Sequence, residues 1–128
     1  MSLLLDTHIL LWAAGPSNRL SPEVVTRLEA PEEQLIFSVV SLWEIAIKSS
    51  RGRDNFRVDG AELRQVLLAA GYDELQVTGP HALETAALPA IHNDPFDRLL
   101  IAQAWCEGVT LLTADSKVAR YPGPIELI

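Results

Sequence analysis

SLLLDTHILLWAAG, running from Ser2 to Gly15, is the stretch that decides the fold. Leu3, Leu4 and Leu5 form an unbroken apolar run, the pattern of a short strand buried on both faces. Asp6 ends that run, and THILLWAA continues as a helix until Gly15-Pro16 stops it. A doubly buried strand leading straight into an apolar helix is the opening unit of an α/β domain, with helices covering both faces of a parallel sheet.

The same unit recurs downstream. LIFS (Leu35 to Ser38), ELQV (Glu74 to Val77), VTLLT (Val109 to Thr113) and IELI (Ile125 to Ile128) read as further short strands. The helices between them have recognisable ends. Ser21-Pro22-Glu23 starts one whose inward face is Val24, Val25 and Leu28. SLWEIAIKSSRG places Leu42, Ile45 and Ala46 at burial spacing and ends at Gly52. Asp59 with Glu62 has the form of a capping box, opening a helix through Leu63, Val66 and Leu67 that stops at Gly71. Thr78 caps PHALETAAL, which Pro89 ends, and Asp94-Pro95 opens a helix closed by Gly108. Arg53 to Val58 reads as a loop. The expectation is an α/β three-layer sandwich, about five short parallel strands between helices, forming a single domain over residues 1–128.

With 128 residues, 48% of them hydrophobic, the chain has enough apolar surface for one core. Its single cysteine, Cys106, has no intramolecular partner, and Asp6 and His8 interrupt the apolar amino terminus, which lacks a positive leader segment. A reducing cytoplasm is the expected compartment. No apolar run approaches the ~18 residues of a membrane span. The net charge of −7 argues against a basic nucleic-acid coat protein. It leaves room for an acidic cleft that binds metal beside a local basic patch. Lys48, Arg51, Arg53 and Arg57 supply such a patch within one short segment.

In open parallel sheets, ligands bind outside the carboxyl ends of the strands. Asp6 follows the first strand directly, and Asp115 lies just beyond VTLLT. Glu44 falls early in the helix after the second strand, and Asp97 in the first turn of the helix that Asp94 opens. All are expected at one edge. Singly, each has a structural explanation: Glu44 and Asp97 favour the helix dipole, while Asp94 and Asp115 cap helices. Jointly they are harder to explain, because two carboxylates ~4 Å apart repel by roughly 4 kcal/mol at an effective dielectric near 20. Such a group needs raised pKa values or a cation. Oxygen donors without cysteine or paired histidine point to Mg²⁺ or Mn²⁺. His8, His81 and His92 lack zinc-site spacing and read as surface or satisfied core residues.

The segments LLLDTHILLW, SLWEIAIK, DPFDRLLIAQA and LLTADS, in that order, resemble the PIN-domain family, and within it the VapC-type toxins of bacterial toxin–antitoxin pairs. The resemblance spans nearly the whole chain. It implies a Mg²⁺- or Mn²⁺-dependent endoribonuclease with an acidic centre formed by Asp6, Glu44, Asp97 and Asp115, and with Thr113 orienting a metal-bound water. Asp94 matches the first acid of DPFDR, where capping is the favoured role and support of the metal shell the other. RNA is expected on a rim drawn from Lys48, Arg51, Arg53, Arg57, Arg98, Lys117 and Arg120. One metal ion, or two ~3.5–4 Å apart, would activate a water so that hydrolysis leaves a 5′ phosphate. The resemblance also implies a cognate antitoxin in a groove beside the acids, presenting an arginine to them. Leu11, Trp12, Trp43, Ile47 and Phe56 are more apolar bulk than the early helices need to bury, which predicts a homodimer surface.

No Ser/His/Asp nucleophile set and no Gly-rich phosphate loop is present, which removes NTPase readings. Two other readings stay open. A receiver-like Mg²⁺ domain wants an adjacent acid pair after the first strand and a phosphoacceptor after the third, whereas Asp6 stands alone and ELQVTGP has no aspartate. A non-catalytic interaction module would carry these acids only as caps, and metal binding separates it from the nuclease.

Overall fold

A computed structural model of the chain describes residues 1–15, 19–52 and 58–128. Strands β1 (Ser2–Leu5), β2 (Gln34–Ser38), β3 (Asp73–Leu75), β4 (Thr110–Thr113) and β5 (Ile125–Leu127) form one sheet in the order β3-β2-β1-β4-β5. Every neighbouring pair is parallel. The chain winds from β1 out to β3 on one side and returns to add β4 and β5 on the other. The direction therefore reverses between β1 and β4, where Leu5 pairs with Leu112 and the two strands end level. That reversal opens a crevice at their carboxyl ends.

The strands are apolar on both sides because each side meets its own core. Leu3, Leu5, Phe37 and Leu112 pack with Ile9, Leu10, Ile45, Leu63 and Leu67. Leu4, Ile36 and Leu111 face the opposite way, onto Val40, Leu100, Ile101, Ala104, Val118 and Tyr121. The covering helices are α1 (Thr7–Ala14), α2 (Pro22–Glu29), α3 (Val39–Arg51), α4 (Gly60–Ala69), α5 (Gly79–Glu84), α6 (Pro95–Glu107) and α7 (Ser116–Ala119). The three-layer α/β arrangement expected from the sequence is present. Gly52 and Gly108 end α3 and α6 in the left-handed conformation, at φ 62° and 66°, which glycine adopts without a side-chain clash.

Some expectations shift. The third strand is Asp73–Leu75, earlier than ELQV, because the Gln76 carbonyl accepts from Gln103 Nε2 (3.2 Å). Val25 and Ala46 are exposed, so the apolar stripes of α2 and α3 are narrower than drawn. PHALETAAL divides into α5 and a short 3₁₀ turn, Thr85–Ala87. Asp59 caps α4 by accepting from Ala61 and Glu62 N–H, while the reciprocal capping box is built by Thr78 and His81. The Pro16 stop and the Arg53 to Arg57 part of the loop lie outside the described residues.

Candidate metal centre

Asp6 continues the β1–β4 ladder by one step, its N–H donating to the Leu112 carbonyl at 3.0 Å. Its side chain then does two things. Oδ1 accepts from the Thr7 N–H (2.6 Å), capping α1, and Oδ2 accepts from the Thr113 hydroxyl (2.6 Å). Thr113 Oγ1 also accepts from the Asp115 N–H (3.0 Å), so one fully buried hydroxyl ties both acid-bearing loops together. The Asp115 carboxylate in turn caps α7 by accepting from Lys117 N–H at 2.8 Å.

Glu44 enters from α3, which starts directly off β2 under a cap from Ser38. Thr7 Oγ1 donates to Ser41 Oγ (2.9 Å) and pins α1 against α3 one turn before Glu44. Asp6 and Glu44 are 4% and 3% exposed, a depth at which acids are rarely found without partners. Lys48 Nζ pairs with Glu44 Oε2, but Glu44 Oε1 is buried with no hydrogen-bond partner among the described residues. Asp97 arrives from the first turn of α6, whose cap Asp94 accepts from Phe96 and Asp97 N–H at 2.8 and 3.1 Å. Asp97 Oδ2 lies 3.0 Å from His92 Nε2, and His92, Asp94 and Asp97 each bring a ligand-type atom within 4.8 Å of the others.

The electrostatics show that these acids share one field. Burial is the main force pushing the Asp97 carboxyl up to about 8, with the charges of Asp6, Asp94, Glu44 and Asp115 adding to it. Burial also raises Asp6, against the lowering effects of its Thr113 and Thr7 hydrogen bonds and of His8; Glu44 adds to the rise. Burial works against the charge on Lys48, yet the hydrogen bond it donates to Glu44 and the charges of Glu44, Asp94 and Asp97 carry its amine above the usual lysine range. A divalent cation would relieve the repulsion and supply the partner that Glu44 Oε1 lacks. The carboxylate-rich donor set suits Mg²⁺ or Mn²⁺.

Thr113 links Asp6 with the Asp115 backbone, and Asp97 feels the charges of Asp6, Asp94, Glu44 and Asp115, while among the described residues the ligand-type atoms that lie within 4.8 Å of one another are those of His92, Asp94 and Asp97. The Thr113 hydroxyl donates to Asp6 Oδ2 and accepts from the Asp115 N–H, so it positions both acid-bearing segments. Arg98 is a correction. Its guanidinium holds the carbonyls of Thr85 (2.9 Å) and Pro89 (3.0 Å) and the Tyr121 hydroxyl (3.0 Å), so it braces the fold instead of offering itself to phosphate. Arg51, Lys117 and Arg120 are exposed, Arg51 at the far end of α3 from its start at β2, whereas Arg53 and Arg57 lie outside the described residues. Trp43 is 57% exposed and meets Phe96 edge-on at 5.1 Å. Leu11, Trp12 and Ile47 are half-buried, and Phe56 lies outside the described residues.

His92 was missed at the sequence level as a member of the cluster. Its signal was available, since it stands two residues before the helix cap Asp94, but a search for paired zinc ligands passes over a single histidine. A cavity of about 600 Å³ lies elsewhere, among Trp12, Leu28, Leu35 and Tyr72 beside the segments that enter β2 and β3. It is remote from the acids, whose convergence in the open crevice is the better guide to chemistry.

Comparison with known proteins identifies the family and the fold. The profile of the PIN domain matches residues 3–124. The chain is 29% identical over 127 residues to Ribonuclease VapC22 of Mycobacterium tuberculosis, covering 97% of this chain and 96% of the relative. Among solved structures, the chain resembles the VapBC2 complex of Rickettsia felis bound to a promoter DNA fragment, with TM-score 0.72 and 19% identity over 99% of this chain and 98% of that one. It also resembles DNA-bound VapBC of Salmonella typhimurium, with TM-score 0.69 and 16% identity over 98% and 97% of the two chains. At these identities the structural likeness is one of fold.

Proposed function

Because the chain belongs to the PIN domain family, we propose that it is a divalent-metal-dependent endoribonuclease acting as the toxin of a VapBC-type toxin–antitoxin pair. The observation that carries this reading is the buried acid cluster at the β1/β4 reversal, where Asp97 is pushed up to about 8 and Glu44 Oε1 is left without a partner. The ribonuclease name of the M. tuberculosis relative and the VapBC complexes among the structural neighbours support the substrate class and the partner.

Asp6, Glu44, Asp97 and Asp115 are the residues that would hold the cation, with Asp94 behind them as the cap of α6. Bound there, Mg²⁺ or Mn²⁺ supplies charge neutralisation at the scissile phosphate and activation of the attacking water. Thr113 keeps Asp6 and Asp115 in register. Asp115, less buried than Asp6 and Glu44, is the carboxylate with solvent access and accepts the proton of the attacking water. Lys48, whose amine pairs with Glu44 Oε2, would offer positive charge to a phosphate together with exposed Arg51 and Lys117. An antitoxin covers this end of the sheet, and the exposed Trp43 belongs to the apolar surface of a homodimer.

The test is cleavage of an end-labelled structured RNA by the purified chain, with Mg²⁺, with Mn²⁺ and with chelator. Cleavage is expected only with metal, leaving 5′ phosphates, and is expected to be suppressed by the antitoxin encoded beside this gene. A chain that neither cleaves RNA nor binds Mn²⁺ saturably would overturn the proposal.

A further inference from the structure

We infer that His92 is a positioning residue for Asp97, braced by Tyr121 and Arg98, and that this strut sets how tightly the acid centre grips a divalent cation. The inference rests on the reading of Asp97 as a metal ligand and assigns the neighbours that give it that ability.

The Tyr121 hydroxyl is the keystone. It accepts from the His92 N–H at 2.8 Å, donates to the His92 carbonyl at 2.9 Å and accepts from Arg98 Nη1 at 3.0 Å. One donor and two lone pairs are all that a tyrosine hydroxyl has, so its valence is filled. Both backbone polar groups of His92 are thereby fixed to one atom of a buried ring. Arg98 closes the frame: it follows Asp97 on α6, and its guanidinium also holds the carbonyls of Thr85 and Pro89, so the chain entering His92 is tied to the helix that carries Asp97. With its backbone held on two sides, the His92 imidazole places Nε2 at 3.0 Å from Asp97 Oδ2.

An ionised carboxylate beside a cation can only accept, so Nε2 carries the proton in that bond. The bond fixes the plane of the Asp97 carboxylate and engages one oxygen, which leaves the other for the cation. Partners of this kind change metal affinity by ~10–100-fold when removed, because a ligand free to rotate must be ordered each time the metal binds.

The experiment measures Mn²⁺ affinity of the full chain from the electron paramagnetic resonance signal of free Mn²⁺, alongside thermal unfolding without metal. His92→Ala is expected to weaken Mn²⁺ binding by ~10–100-fold, with metal-free unfolding close to that of the parent. His92→Gln, whose amide can donate from the same reach, is expected to restore most of the affinity. Tyr121→Phe, which keeps the ring and loses the hydroxyl, is expected to fall between the parent and His92→Ala. Unchanged affinity in His92→Ala would overturn the inference while leaving the metal centre intact. Affinity in His92→Gln as weak as in His92→Ala would overturn positioning by a hydrogen bond. A parent chain that does not bind Mn²⁺ saturably would overturn the metal centre itself, which distinguishes the two failures.

Discussion

At the amino ends of β1, β2 and β3, Ser2, Gln34 and Asp73 form a hydrogen-bonded row: Ser2 Oγ donates to Gln34 Oε1 and Gln34 Nε2 to Asp73 Oδ2, each at 2.6 Å. At the opposite ends of the same sheet, the charges of Asp6 and Glu44 bear on Asp97, and Glu44 keeps a buried oxygen with no hydrogen-bond partner among the described residues. Both edges are polar, and the parallel strands are the same. The Ser2–Gln34–Asp73 row is exposed and its side chains meet complements; Glu33, just before β2, also keeps a buried oxygen without a hydrogen-bond partner among the described residues, but no second acid crowds it as the acids of the carboxyl edge crowd Asp97. The carboxyl edge keeps like charges out of water at a cost to folding that no neighbour fully offsets. Unrelieved cost of this sort, in a fold otherwise consistent from pattern to packing, marks the place where something else is meant to bind.

The contrast can be broken most directly at Asp6. Asp6→Asn keeps the volume and removes a charge, and is expected to reduce metal-dependent RNA cleavage to below ~1% of the parent while raising or preserving metal-free thermal stability. Undiminished cleavage would remove Asp6 from the centre. The next effect is read through pH. The Asp97 carboxyl sits at about 8 in the fold and near ~3.9 when unfolded, so between those values the native state holds a proton that the unfolded chain has lost. The sign follows: this group favours the fold at low pH, and metal-free stability falls as pH rises toward 8, by up to ~1.4 kcal/mol per pH unit. Melting at pH 5 to 8 in chelator should show the decline and added Mg²⁺ should reverse it; a rise with pH would contradict the crowding of acids.

Arg98→Ala comes third. It leaves carbonyls of Thr85 and Pro89 without their donor and should lower stability by about 2 kcal/mol in denaturant unfolding. A loss of RNA affinity with no change in stability would return Arg98 to the binding rim. The smallest effect belongs to the amino edge. Asp73→Asn still accepts from Gln34 and should change stability by less than ~1 kcal/mol, with cleavage and Mn²⁺ affinity unaltered.

Much of this contrast was legible before any coordinates. β1, β2 and β4 were readable because a strand buried on both faces must be an unbroken apolar run, and α6 because Asp94-Pro95 and Gly108 mark its ends. That Asp6 and the Asp115 backbone share the Thr113 hydroxyl is what parallel strands ending at one edge allow. β3 was misplaced because a three-residue edge strand leaves almost no periodic trace and its limit is set by Gln103, a side chain from another helix. Arg98 was misassigned and His92 passed over for a related reason: their roles depend on Tyr121, 29 residues from His92 along the chain, and local spacing carries no sign of it.

The bond between Thr113 and Asp6 spans 107 positions of the sequence. Ribosomes add roughly 5–20 residues per second, so on the order of ten seconds separate the synthesis of the first acid from that of the hydroxyl that locks it. Once β2 has been made, β1 has it to pair with but no β4, and Asp6 and Glu44 wait first for Asp97 and last for Asp115. The nascent chain therefore carries no assembled centre while most of it is being made. For a protein proposed to cut RNA, the order of its own strands delays assembly of the centre until nearly all of the chain has been made.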